Sequence, residues 1–109
     1  MVSVMRGQLL RGHLDALLLA CLQDGAAHGY EVMQRLYRRS AGGFDLPEGT
    51  IYPVLRRLER EGHVSSKWDD TQGRKRRVYT LTPKGRRYLK AQRHEWDGFA
   101  TAIEGVFGR

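Results

Sequence analysis

The sequence predicts a mainly α-helical winged helix-turn-helix domain with a small β-hairpin, continued by one long C-terminal helix. Three observations lead there. Within Gly49–Gly62, Ile51, Val54, Leu55 and Leu58 follow i, i+3, i+4, i+7 spacing, one apolar stripe on a helix. Val64, Ser66 and Trp68 then alternate with polar residues, and a turn with the basic run Arg74-Lys75-Arg76-Arg77 precedes a second alternating stretch, Val78–Leu81. Finally, Leu89, Trp96 and Ile103 recur every seven residues, with Gln92, Phe99 and Val106 offset by three, which is a heptad seam.

The elements follow in order. Residues 1–8 are expected to be a flexible N-terminal arm, 9–82 the winged domain and 83–109 a dimerisation helix. From Leu9, the positions Leu10, Leu14, Leu17, Leu18 and Cys21 recur at helical steps until Asp24-Gly25. A second helix starts near His28-Gly29-Tyr30, carries Val32, Met33, Leu36 and Tyr37, and stops at Ser40–Gly43. Leu46-Pro47 opens the third, with proline expected at the first helical position. Pro53 in its second turn removes one backbone bond and crowds the carbonyl of Gly49. Asp69–Gly73 reads as the hairpin connection, and Thr82-Pro83 as cap and first residue of the last helix. That helix outreaches a small domain, so Trp96, Phe99 and Ile103 need a second copy to bury them.

The bulk composition narrows the function. The chain has 109 residues, room for one domain, and its 19 Lys+Arg against 12 Asp+Glu give a net charge of +7. That excess favours a polyanionic partner, nucleic acid before membrane. A single cysteine, Cys21, excludes an internal disulfide framework and fits a reducing, cytoplasmic setting. No apolar run is long enough to span a membrane, and residues 1–8 carry no signal-peptide pattern. Cys21, His13, His63 and His94 lack metal-ligand spacing. With no carboxylate pair, nucleophile motif or phosphate loop, neither an enzyme nor a cofactor is expected.

Several stretches together resemble the PadR family of bacterial transcriptional regulators. They are His28-Gly-Tyr-Glu31, Gly49-Thr-Ile-Tyr-Pro53, Leu55-Arg-Arg-Leu-Glu59 with Gly62, Trp68, Gly73-Arg74 and Tyr79-Thr-Leu-Thr-Pro-Lys-Gly85. The likeness is strongest to the short subfamily with a single C-terminal helix. It implies a dimeric winged helix on a palindromic operator, usually a repressor released by a small molecule. Two positions depart from the family's habit: Lys75 stands where proline is frequent, and Val78 where an aromatic is.

Candidate sites follow from position. Tyr52 and Arg56 project from the third helix opposite its apolar stripe, where a helix in the major groove would read bases. Gly49 and Thr50 at its first turn permit close approach and offer backbone N–H groups to phosphate. Arg57 and Arg60 read equally well as surface charges. His28 and Tyr30 begin the second helix, where unpaired amides attract anions; the resemblance suggests phosphate contact by Tyr30, and the alternative is a core Tyr30 with His28 as cap. Arg74, Lys75 and Arg76 form the wing tip, with Arg77 turning toward the sheet. Leu89, Gln92, Trp96, Phe99, Ile103 and Val106 are the candidate dimer interface. Trp96 and Phe99 could also stack on a flat hydrophobic effector, opposite a wall of Leu14, Asp15 and Leu17. Lys84, Arg86 and Arg87 oppose the dipole of the last helix, and splaying into water accounts for them. The rival readings are a ligand sensor, a protein-interaction winged helix and a non-specific DNA binder.

Overall fold

The computed structural model describes residues 12–108 apart from residue 72. The expected arm, 1–8, and the expected helix start at Leu9 lie outside the described residues. The elements run α1 (Leu14–Cys21), β1 (Ala27–His28), α2 (Gly29–Arg39), α3 (Glu48–Arg60), β2 (Val64–Asp69), β3 (Arg76–Leu81) and α4 (Pro83–Phe107). No described helix is long and apolar enough to cross a membrane.

The core lies where the three helical stripes meet the inner face of the sheet. Leu18, Leu19, Val32, Ile51, Leu55 and Leu58 are fully enclosed, and Tyr79 of β3 fills the centre. Each such aliphatic side chain contributes about 1.5–3 kcal/mol by leaving water. Val54 and Met33 are only partly buried against that core, and Tyr37, expected on the inner stripe of α2, is about half exposed. Its ring lies instead over the helix end, 3.5 Å from where a Cβ on Gly42 would stand.

The sheet has three strands in the order β1-β3-β2, so the expected hairpin acquires a third member. Ala27 pairs with Tyr79 and His28 with Val78, antiparallel. On the other side the register runs from Val64↔Leu81 to Asp69↔Arg76. The return strand therefore begins at Arg76, two residues earlier than its apolar alternation suggested, and only Arg74 and Lys75 of the basic run stay in the turn. The Thr71 N–H donates to the Asp69 carboxylate at 3.0 Å, an Asx-type turn. That bond holds Asp69 below the usual carboxylate range.

Helix ends are tied to their neighbours. Pro47 is the N-cap of α3, one place before the first helical position expected for it, and its carbonyl accepts from the Thr50 N–H at 2.9 Å. α1 ends at Cys21 with carbonyls that α2 satisfies: Arg35 Nη1 donates to Cys21 O at 2.9 Å and Gly25 O at 3.0 Å. Arg39 donates to Ala20 O at 3.1 Å and pairs with Asp24. Cys21 itself is buried, and burial pushes its thiol up, away from reactive thiolate.

The junction of α3 and α4 is the tightest. Thr82 caps α4, its Oγ1 accepting from the Gly85 N–H at 3.0 Å while donating to Gly62 O at 2.7 Å. The Thr82 N–H donates to His63 O at 3.2 Å, and Lys84 Nζ donates to Glu61 O at 2.7 Å. Lys84 thus opposes the dipole of its own helix but serves the carbonyl end of α3, which resolves that local conflict. Thr82→Ala removes the cap and the Gly62 bond together. We expect it to cost about 1–2 kcal/mol, read as a lower urea midpoint at unchanged slope.

Candidate nucleic-acid interface

The N-terminus of α2, the outer face of α3 and the wing converge on one open groove of about 520 Å³. His28, Tyr30, Tyr52, Arg56, Arg74, Lys75 and Arg76 line it, together with Glu48, Trp68, Arg77 and Tyr79. Distant stretches of sequence are brought here by the short β1 strand, which sets the start of α2 beside β3.

Each wall has its own local cause. His28 closes α2 with a reciprocal capping box: the Glu31 N–H donates to His28 Nδ1 and the His28 N–H to Glu31 Oε1, each at 3.3 Å. Arg76 Nη1 reaches His28 Nε2 at 2.8 Å. A neutral imidazole has one accepting nitrogen, so the Glu31 amide and the Arg76 guanidinium compete for it.

Tyr52 is wedged against the start of α2. A Cβ on Gly29 would stand 2.3 Å from its ring, so glycine there lets the Tyr52 ring lie against the start of α2. Tyr30, by contrast, projects into solvent at the rim, so it is not a core residue. Gly49 and Thr50 are exposed at the first turn of α3, outside the groove lining, and a Cβ on Gly49 would meet nothing within 4 Å. The Thr50 amide is already bonded to Pro47 O, which leaves it unavailable to a phosphate.

The basic residues sort into two sets. Arg35 and Arg39 hold α1, as above. Arg57 forks onto Asp15 of α1 at 2.6 and 3.0 Å and reaches Glu61 at 3.2 Å. These hydrogen bonds raise its already high pKa further. Arg77 Nε donates to Ser66 Oγ at 2.8 Å, 4.0 Å from Glu59 Oε1, and its guanidinium lies over Trp68. Among the described residues, Arg56 and Arg74 have no ion pair or hydrogen-bond partner within the chain. Both line the groove, beside one acid, Glu48, at the start of α3.

A second concavity, about 730 Å³, lies between α1 and α4, lined by Leu17, Phe44, Leu89, Gln92 and Trp96 among others. The edge of His13 meets Trp96 at 5.0 Å between centroids, and Trp96 meets Phe99 at 5.9 Å. Of the expected effector wall, Leu17 faces this space; Leu14 is buried in the core, Asp15 turns to Arg57, and Phe99 lies beyond the lining. Of the expected seam, Leu89 is 2% exposed and belongs to the protomer's own core. The outer part stays uncovered: Trp96 is 47% exposed, Phe99 51% and Val106 85%, while Gln92 and Ile103 are part-buried. Sequence reasoning missed Trp68 and Phe44 as lining residues: strand alternation gives Trp68 its side but not its distance from the core, and Phe44 lies in the irregular segment between α2 and α3, where no periodicity places it.

A winged helix that sets Arg56 and Arg74, both unpaired, between the third helix and the wing has the layout of a transcriptional regulator. Residues 18–91 match the family described as "Transcriptional regulator PadR-like family", and the chain belongs to that family. It is similar to "Transcriptional regulator Rv3488" of Mycobacterium tuberculosis, 38% identical over 82 residues, covering 75% of this chain and 74% of that one. An uncharacterised protein of Lysinibacillus sphaericus is 33% identical over 94 residues, covering 85% and 86%. Among solved structures, a PadR family transcriptional regulator from Eggerthella lenta superposes with TM-score 0.82 at 30% identity, over 98% of this chain and 92% of that one. A transcriptional regulator from Clostridium thermocellum gives TM-score 0.81 at 26% identity, over 94% and 99%.

Proposed function

We propose that this PadR-like regulator is a homodimeric repressor that binds an inverted-repeat operator in duplex DNA and is released by a flat hydrophobic effector. The carrying observation is the groove between α3 and the wing, where Tyr30, Tyr52, Arg56, Arg74, Lys75 and Arg76 meet. α3 enters the major groove with Arg56 toward base edges, and the wing lies along phosphates. Two protomers joined along the outer half of α4 cover Trp96, Phe99, Ile103 and Val106 and set the recognition helices about 34–36 Å apart, one helical turn of DNA. The concavity beside Trp96 takes the effector, whose binding changes the angle between the winged domains.

Fluorescence anisotropy on the DNA upstream of the coding sequence, against a scrambled duplex, tests this. We expect a preference of about a thousandfold or more at physiological salt, and a steep loss of affinity as salt rises. Equal binding to both duplexes would replace the reading with a non-specific binder, and no binding to either would support a protein-interaction domain.

A further inference from the structure

Trp68 is 57% exposed although it stands on the inner face of β2, in line with Val64 and Ser66. Its register partner is Arg77, close to the wing tip, and it lies past the buried start of β2. A large aromatic ring left in water forfeits much of its burial energy, so such exposure on a small domain calls for an occupant. Its surroundings say which kind. Arg77 lies 4.8 Å and Lys75 5.5 Å from the ring centroid, and Arg56, Arg74 and Arg76 line the same groove. Among the described residues the indole N–H has no hydrogen-bond partner. An apolar face ringed by cations, with one spare N–H donor at its edge, is complementary to a strand that alternates anionic phosphate with an apolar deoxyribose face.

We infer that Trp68 is a DNA-backbone contact: its ring packs on a deoxyribose and its Nε1–H donates to the adjoining phosphate, while Lys75 and Arg77 hold the ring in place. This rests on the DNA-binding reading above and extends it to a residue that carries no charge. The contact is indifferent to sequence, since sugar and phosphate are the same at every step. It also releases few counterions, because counterion release scales with the number of phosphates neutralised by cations.

Those two properties define the test, which needs no known operator. A random-sequence duplex of 30 base pairs is titrated with the full chain, with Trp68→Ala and with Trp68→Phe, over a series of salt concentrations. For Trp68→Ala we expect affinity about five- to tenfold lower at every salt concentration, with the slope of log K on log salt unchanged. Trp68→Phe should recover part of the loss, keeping the ring but not the donor. Unchanged affinity in Trp68→Ala would overturn the assignment. A shallower salt slope would also overturn it, since Trp68 would then act only by organising Lys75 and Arg77.

A direct readout on the unaltered chain guards against a misfolded variant. With 5-fluorotryptophan incorporated, the Trp68 resonance, assigned by its loss in Trp68→Phe, should shift when duplex is added. A resonance that stays in place while the duplex binds would sink the proposal. If the unaltered chain binds no duplex, both this assignment and the DNA-binding reading fall together.

Discussion

Gly85→Ala is expected to lower the melting temperature by roughly 12–24 °C, while Gly98→Ala in the same helix raises it slightly. A Cβ on Gly85 would stand 2.0 Å from the carbonyl oxygen of His63 and 2.9 Å from Leu81 Cδ1. The first contact is backbone, so no rotamer change relieves it. Relief requires separating the first turn of α4 from the end of α3, which stretches the Thr82 N–H to His63 O bond and disturbs the cap. Overpacking typically costs about 1–3 kcal/mol, and a backbone contact that no rotamer relieves takes the upper end; a domain of this size loses about 4–8 °C per kcal/mol. Gly98 sits off the heptad seam with nothing within 4 Å of its Cβ position. There alanine brings only its better helix propensity, about 1 kcal/mol. Thermal unfolding followed by circular dichroism on both variants separates the two cases; equal melting curves would remove the claim that close approach at Gly85 holds the junction.

Arg56→Ala is expected to weaken operator binding about ten- to a hundredfold and to reduce discrimination against changed base pairs in the half-site. A bidentate arginine–guanine contact contributes about 1–3 kcal/mol to discrimination, and Arg56 has no internal partner to hold it back. Its neighbour provides the contrast. Arg57 is committed to Asp15 and Glu61, so Arg57→Met should leave operator affinity within about threefold while lowering stability by about 1.5–3 kcal/mol, the range for losing hydrogen bonds to charged groups. Adjacent arginines with opposite phenotypes, one in binding and one in unfolding, can be read by pairing anisotropy with urea melts. If Arg57→Met cost as much affinity as Arg56→Ala, the division of basic residues into internal and DNA-facing sets would fail.

What could be read from the sequence was what local chemistry decides. The α3 stripe, the Thr82 cap, the wing with its Gly73 turn and the length of α4 each depend on residues a few positions apart. The misses share a different cause. β1 is two residues long and exists only because β3 lies alongside it, so no run of residues announces it. Leu89 fits a heptad with Trp96 and Ile103, but the same spacing serves a helix packed on its own domain, and the first turns of α4 are such a helix. Asp15, expected in the effector wall, is held instead by Arg57, a partner 42 positions along the chain and beyond any periodicity. The DNA-facing candidates were legible as a group because glycines, aromatics and bases cluster at helix and hairpin ends. Which bases remain free was not, since that depends on tertiary partners such as Asp15, Glu61 and Ser66.

The bonds that join the end of α3 to the start of α4 have a mechanical consequence. Three hydrogen bonds and a glycine-tight contact make α3 and α4 one stiff bracket, so in the proposed dimer no flexible joint separates the arm assigned to DNA from the arm assigned to the second copy. The 25 residues of α4 give that second arm a length of about 37 Å at ~1.5 Å per residue. In the proposed dimer, a tilt of only ~5° where the two long helices cross would swing each reading arm by on the order of 2–3 Å. That displacement equals the length of a hydrogen bond, so a ligand the thickness of one aromatic ring would be enough to put Arg56 out of register with its base.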